Sequence, residues 1–289
     1  MPLITMNQLY AVAERRGFAV PGYDTAGGQM GHLDVVLRTA EEMNAPAIVS
    51  EGYNAMSFYF DPECYAEAAK AAIRKAKVPA VLHLDHSFEF DHVVRGIKYG
   101  FTSVMFDGSR LSYEENVRIT REVVHMAHAV DVTVEAELGK VGGLEGDTTS
   151  QADTAAYTDP DLAKDFVEKT GIDSLAPAIG TAHGFYKDEP RLDFDRLQRI
   201  KEATQVPLVL HGATGVPLAD VKKCIALGVR KVNIATQIRF TFVKAVHAYM
   251  DAHPEDYSER VIKSGRAAVR DFMVEQIRAF GCAGMAREF

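Results

Sequence analysis

Short runs of apolar, often β-branched residues recur along the chain, separated by longer stretches with helical spacing of their apolar positions. The runs cover 18–23 (FAVPGY), 47–50 (AIVS), 80–84 (AVLHL), 103–106 (SVMF), 132–138 (VTVEAEL), 174–179 (SLAPAI), 208–211 (LVLH) and 231–235 (KVNIA). Near-continuous apolar strands that alternate with helices indicate parallel pairing with both sheet faces covered. Between them, 61–77, 113–129 and 216–227 read as helices. A helix-ending glycine or a proline stands just before several strands: Gly17, Pro46, Pro79, Gly100, Pro207 and Gly228. Eight such units predict an α/β fold of the (β/α)8 TIM-barrel type. A doubly wound open sheet is the competing arrangement, but no strand-following GxGxxG supports it.

The pattern fills the chain, so residues 1–289 are expected to form one barrel domain with a C-terminal helical extension. Residues 1–17 read as a helix, Thr236–Met250 as the eighth barrel helix, and Ser258–Phe280 as a further helix lying over the barrel or against a neighbouring subunit. Gly139–Tyr157 is the longest turn-rich stretch, and its length marks it as a functional lid. A hydrophobic content of 47% supplies one large core. The formal charge of −8 argues against nucleic acid as a partner, which needs a basic face. It leaves open small phosphorylated ligands, which a few local groups can hold. Cys64, Cys224 and Cys282 are far apart and form no CxxC pair, as suits a reducing compartment. With no signal-like start and no long uncharged apolar stretch, the expectation is a cytoplasmic protein with no membrane partner.

The strand ends gather the chemistry-bearing residues, and in such a barrel the C-terminal strand ends form the site. They present Asp85 and His86, Asp107, Glu135 and Glu137, His183, His211, and the stretch Asn233–Thr236. Three histidines at the ends of strands three, six and seven suit Zn²⁺, because three imidazoles leave one coordination position open for substrate. His125 and His128 fall on a helix, and His247 and His253 read as surface residues. His83 shares the strand face of Asp85 and reads as a hydrogen-bonded core histidine. Asp107, Glu135 and Glu137 are candidates for a second metal or for supporting the first, since paired carboxylates in a lumen need a cation. Asp85 is placed to exchange a proton with a substrate hydroxyl, and Glu145, in the loop GGLEG, to swing onto the site. The turns at Gly184, at Gly212, Ala213 and Thr214, and at Asn233, Ile234, Ala235 and Thr236 suit phosphate, which barrels commonly hold with backbone N–H groups after strands seven and eight.

The segments LHLDH (82–86), VEAELGKVGG (134–143), IGTAHG (179–184), VLHGATG (209–215) and VNIAT (232–236) resemble the class II ketose-bisphosphate aldolases, which include fructose- and tagatose-bisphosphate enzymes. The resemblance implies a (β/α)8 barrel with zinc held by His86, His183 and His211, Asp85 as acid/base, and Glu145 moving the C3 proton. It implies a reaction that reversibly cleaves a ketose 1,6-bisphosphate or related ketose 1-phosphate to dihydroxyacetone phosphate and an aldehyde, through a metal-stabilised enediolate. Gly184, Gly212–Thr214 and Asn233–Thr236 then match the residues at the dihydroxyacetone phosphate end, with a monovalent cation (Na⁺ or K⁺) nearby. Arg239 matches an arginine that contacts the distal phosphate in some of these enzymes, and a homodimer or homotetramer is expected. The chain departs from the family at Asp24 in GYDTAGG (22–28), at Thr214 for the usual serine, at Gly146 and at Gln237, which bears on the distal pocket. Two other functions fit the same skeleton: a non-catalytic barrel supporting a partner aldolase, and a metal-dependent sugar-phosphate epimerase or isomerase.

Overall fold

The computed structural model describes residues 2–26, 29–142, 157–186 and 189–289. Glu145, Gly146 and most of the expected lid lie outside these residues. Each apolar run forms a strand: β1 (Val20–Asp24), β2 (Ala47–Gly52), β3 (Ala80–Ser87), β4 (Ser103–Phe106), β5 (Thr133–Leu138), β6 (Ser174–Pro177), β7 (Leu208–Leu210) and β8 (Val229–Ile234). Neighbouring strands are parallel throughout, and β8 pairs back onto β1. The sheet is a closed eight-stranded barrel, which excludes the open-sheet alternative.

Helix α1 (Met6–Arg16) precedes β1, and α2 (Met30–Glu42) follows it. Two helices, α3 (Tyr53–Tyr59) and α4 (Pro62–Lys75), follow β2. One follows each of β3 to β7: α5 (Phe90–Tyr99), α6 (Tyr113–His128), α7 (Pro160–Thr170), α8 (Phe194–Thr204) and α9 (Leu218–Ala226). After β8 come α10 (Thr236–Ala252) and α11 (Ser258–Ala279). Local signals set many of the boundaries. Asp61 and Asp159 accept hydrogen bonds from the first turns of α4 and α7, each followed by a proline. Gly17 and Gly100 end α1 and α5 in the left-handed region.

Strand parity sorts the side chains. Leu82, Leu84, Val104, Phe106, Val134, Ala136 and Leu138 join the main core between barrel and helices. The intervening His83, Asp85, Glu135 and Lys231 bond one another inside the barrel. The lumen is thus polar in its middle and upper layers, while its floor is apolar. There Met6, Leu9 and Ala13 of α1 pack on Val20, Ile48 and Val81, and the Tyr10 hydroxyl meets Ser174 Oγ at 3.2 Å at the foot of β6. The last helix, α11, lies across α10 and α2 on the outside. It buries Val269, Met273 and Ile277, and its Met273 carbonyl accepts from the Tyr23 hydroxyl at 3.4 Å.

Besides shifts at other element ends, three features depart from the reading of the sequence. β3 runs on to Ser87, so Asp85 and His86 lie within the strand. β6 stops at Pro177, so His183 is carried by the loop after it rather than by a strand end. The segment 53–59, unassigned by its pattern, forms α3.

Candidate active site

In a regular strand, consecutive residues face opposite sides, yet both Asp85 and His86 act inside the barrel. The backbone explains how. The β3–β4 register shifts between Leu84 and Ser87, and His86 has a φ of 36°, a left-handed value that only a well-braced non-glycine residue keeps. This bulge re-aims the His86 ring to the same mouth as Asp85.

The imidazoles of His86, His183 and His211 converge there, with a nitrogen from each lying within 4.8 Å of the others. His86 Nε2 and His211 Nδ1 face each other at 2.9 Å. Their far nitrogens are held by carboxylates, His86 Nδ1 by Asp107 Oδ2 at 3.0 Å and His211 Nε2 by Glu135 Oε1 at 2.8 Å. A carboxylate that takes the N–H of one ring nitrogen fixes the tautomer and makes the other nitrogen the one that can ligate. Among the described residues, His183 Nε2 is buried without a hydrogen-bond partner. Burial first, then the neighbouring histidines, push His183 well below the usual imidazole range, so its ring is neutral. Three imidazoles facing one point, one of them without a partner among the described residues, fit a divalent cation.

Beneath them lies a cluster the sequence analysis missed. Lys231 is fully buried. Its Nζ reaches Glu135 Oε1 and Oε2 at 3.0 and 2.8 Å and His83 Nε2 at 3.0 Å, and stands 3.8 Å from Asp85 Oδ1. Burial would raise the Asp85 carboxyl, but Lys231, His86 and His83 outweigh it and hold it well below the carboxylate range. The same contest leaves Glu135 at about 2, where burial is overcome chiefly by Lys231 and His211. Asn233 Nδ2 donates to both oxygens of Asp85, at 3.0 and 2.8 Å. At Glu137 burial, followed by Asp107, prevails and drives the carboxyl well above its ordinary value. Its Oε2 has no partner among the described residues, and its carboxylate groups with His86 and Asp107 closely enough to share an ion. His83 is the core histidine expected, buried and bonded to Ser103 Oγ at 2.8 Å. Lys231 was detectable in principle, since it stands two residues before Asn233 on one strand and therefore on the same face.

The rim is built from the loops after β6, β7 and β8. Gly212 has a φ of 66°, and a Cβ there would stand 2.5 Å from the Ala182 carbonyl oxygen, so glycine is what lets these two loops touch. Tyr186, also missed, fastens them. Its Oη accepts from the Ala182 N–H at 2.6 Å and donates to the Gly212 carbonyl at 2.8 Å. Gly184, Ala213 and Thr214 lie on these loops, and α10 begins at Thr236. Ala235 caps α10 without a side-chain hydrogen bond, and no acidic residue occupies its first turn. Ile234 turns its side chain into the core, so only its backbone is available to a ligand. Arg239, in the first turn of α10, reaches across to Asp24 at the end of β1. The structure thus brings together Asp85, His86, Asp107, Glu135, Glu137, His183, His211 and Asn233, and places Gly184, Ala213, Thr214 and Thr236 on the loops and helix start after β6, β7 and β8.

The profile of the family described as fructose-bisphosphate aldolase class-II matches residues 4–285. The chain is 40% identical over 289 residues to the "Probable fructose-bisphosphate aldolase" of Bacillus subtilis (strain 168), covering 99% of this chain and 100% of that protein. The crystal structure of the YdjI aldolase from Escherichia coli K12 is 34% identical, with a TM-score of 0.85 over 98% of this chain and 99% of that one. That of fructose-bisphosphate aldolase from Campylobacter jejuni is 25% identical, with a TM-score of 0.81 over 98% and 96% of the two chains.

Proposed function

We propose, for a chain that belongs to the class-II fructose-bisphosphate aldolase family, that it is a zinc-dependent lyase reversibly cleaving a ketose 1,6-bisphosphate or related ketose 1-phosphate to dihydroxyacetone phosphate and an aldehyde. That the chain is an aldolase follows from the family. The metal, the substrate and the residue roles are the proposal. The convergence of His86, His183 and His211 beside an ionised Asp85 carries it.

The three histidines would hold the metal, with Asp107 and Glu135 fixing the tautomers of two of them. Bound there, Zn²⁺ would act as a Lewis acid toward the substrate carbonyl. Asp85, kept ionised by Lys231 and oriented by Asn233, takes the C4 hydroxyl proton as the C3–C4 bond breaks. The bonding electrons pass to the half that becomes dihydroxyacetone phosphate, and Glu145, outside the described residues, returns a proton to C3. The C1 phosphate lies on Gly184, on Gly212–Thr214 and at the uncapped start of α10, where unpaired backbone N–H groups and the helix dipole favour an anion. Na⁺ or K⁺ nearby would offset its charge. His86, Asp107 and Glu137 offer a second cation place. We infer a cytoplasmic homodimer or homotetramer.

Treatment with EDTA should abolish cleavage and Zn²⁺ should restore it, with triose phosphate as product. Full activity in metal-free protein would refute the zinc assignment, and a rearranged sugar in place of triose phosphate would favour an isomerase or epimerase.

A further inference from the structure

The rim between β1, β2 and β8 holds a charge pair with no part in the bond cleavage. Asp24 is 4% exposed. Its Oδ1 accepts from Arg239 Nη2 at 2.7 Å, from Arg239 Nε at 3.0 Å and from the Ala26 N–H at 2.6 Å. Among the described residues all hydrogen bonds to Asp24 fall on that oxygen, and Oδ2 accepts none. Ser50 is the strand partner of Asp24 on β2, and its hydroxyl is buried without a partner among the described residues. Two residues before Asp24 on the same face, Gly22 pairs with Asn233, which holds Asp85.

The pair therefore stands beside the group that works at C4, on the side of the barrel away from the loops after β6 and β7. With the C1 phosphate on those loops and at the start of α10, the sugar chain beyond C4 runs toward β1 and β2. A second phosphate there would need cationic donors. Arg239 already gives two of its N–H groups to Asp24, and a dianion would lie against a buried carboxylate. A carboxylate oxygen and a serine hydroxyl in want of partners are instead complementary to sugar hydroxyls.

We propose that Asp24 is a specificity-determining residue. By holding Arg239 it closes the subsite beyond C4 to a second phosphate and fits it to a hydroxylated, uncharged tail, so that the substrate is a ketose 1-phosphate. This deepens the aldolase reading and rests on it.

The zinc-loaded enzyme is tested in two steps that separate the two. Exchange of the C3 hydrogen of dihydroxyacetone phosphate in D2O needs no tail, and its absence in wild type would sink the aldolase reading itself. Given exchange, condensation of dihydroxyacetone phosphate with glyceraldehyde is compared with that of glyceraldehyde 3-phosphate. Wild type should prefer the unphosphorylated aldehyde in kcat/KM by about tenfold or more. The near-isosteric Asp24→Asn should move that ratio toward the phosphate by about tenfold, the scale of one charge-assisted hydrogen bond. A wild-type preference for the phosphorylated aldehyde, failure to take either aldehyde, or an unchanged ratio in Asp24→Asn would overturn the assignment. Should Asp24→Asn not fold, the wild-type preference alone decides.

Discussion

At Asp85, burial presses the carboxyl toward neutrality while Lys231, His86 and a hydrogen bond from His83 press it toward the anion, and together these neighbours win. Asp85→Ala removes the proton acceptor and leaves the three imidazoles in place. It should lower kcat roughly a hundred- to ten-thousand-fold with zinc content unchanged, and wild-type kcat in the variant would remove Asp85 from the chemistry. His32 poses a different problem. Its ring is buried against Phe242, with Nε2 unpartnered among the described residues. Burial, then Arg239 and Arg266, lower it to about 4. Between the unfolded value of 6.5 and the folded value near 4, the unfolded chain binds the extra proton. This group's contribution is therefore complete above pH 6.5 and erodes as pH falls toward 4. In metal-free protein, urea titrations of His32→Leu should show a shallower loss of stability across that window, by up to about 1.4 kcal/mol per pH unit; an unaltered slope would mean the ring titrates normally. At this scale the sequence was most readable where residue type and position spoke together. Asp85, His86 and His211 carry unmistakable chemistry next to strand ends. Lys231 was readable only as a residue on the face of Asn233, because nothing in KVNIA reveals that its neighbours across the lumen are Glu135 and Asp85.

Strands and helices could be placed from hydrophobic alternation and from glycine and proline stops, since both follow from local sterics and burial. The bulge in β3 could not. LHLDHS alternates regularly, and the left-handed His86 is imposed by the register with β4, a long-range contact. The same holds for the loop that carries His183. Its position depends on Gly212 admitting the Ala182 carbonyl and on Tyr186 bridging Ala182 and Gly212. Tyr186→Phe keeps the ring and deletes only the bridge. It should weaken zinc binding by about tenfold or more, as loss of ligand support does, and should alter the visible spectrum of the Co²⁺-substituted protein. Unchanged affinity and spectrum would show that the loops hold each other without it.

Across the whole molecule, eight alternating units sufficed to foresee closure, because a parallel sheet with helices on its outer face has few ways to cover itself. What the pattern did not assign was the use of the two terminal helices, one beneath the barrel and one along its flank, since an amphipathic helix does not say which surface it will meet. The helix beneath has a kinetic consequence. With Met6, Leu9 and Tyr10 stoppering the bottom, the proposed ion and sugar would share the upper mouth, and whichever entered last would have to leave first. Saturating dihydroxyacetone phosphate should therefore slow the stripping of zinc by a chelator, which must wait in the queue behind it.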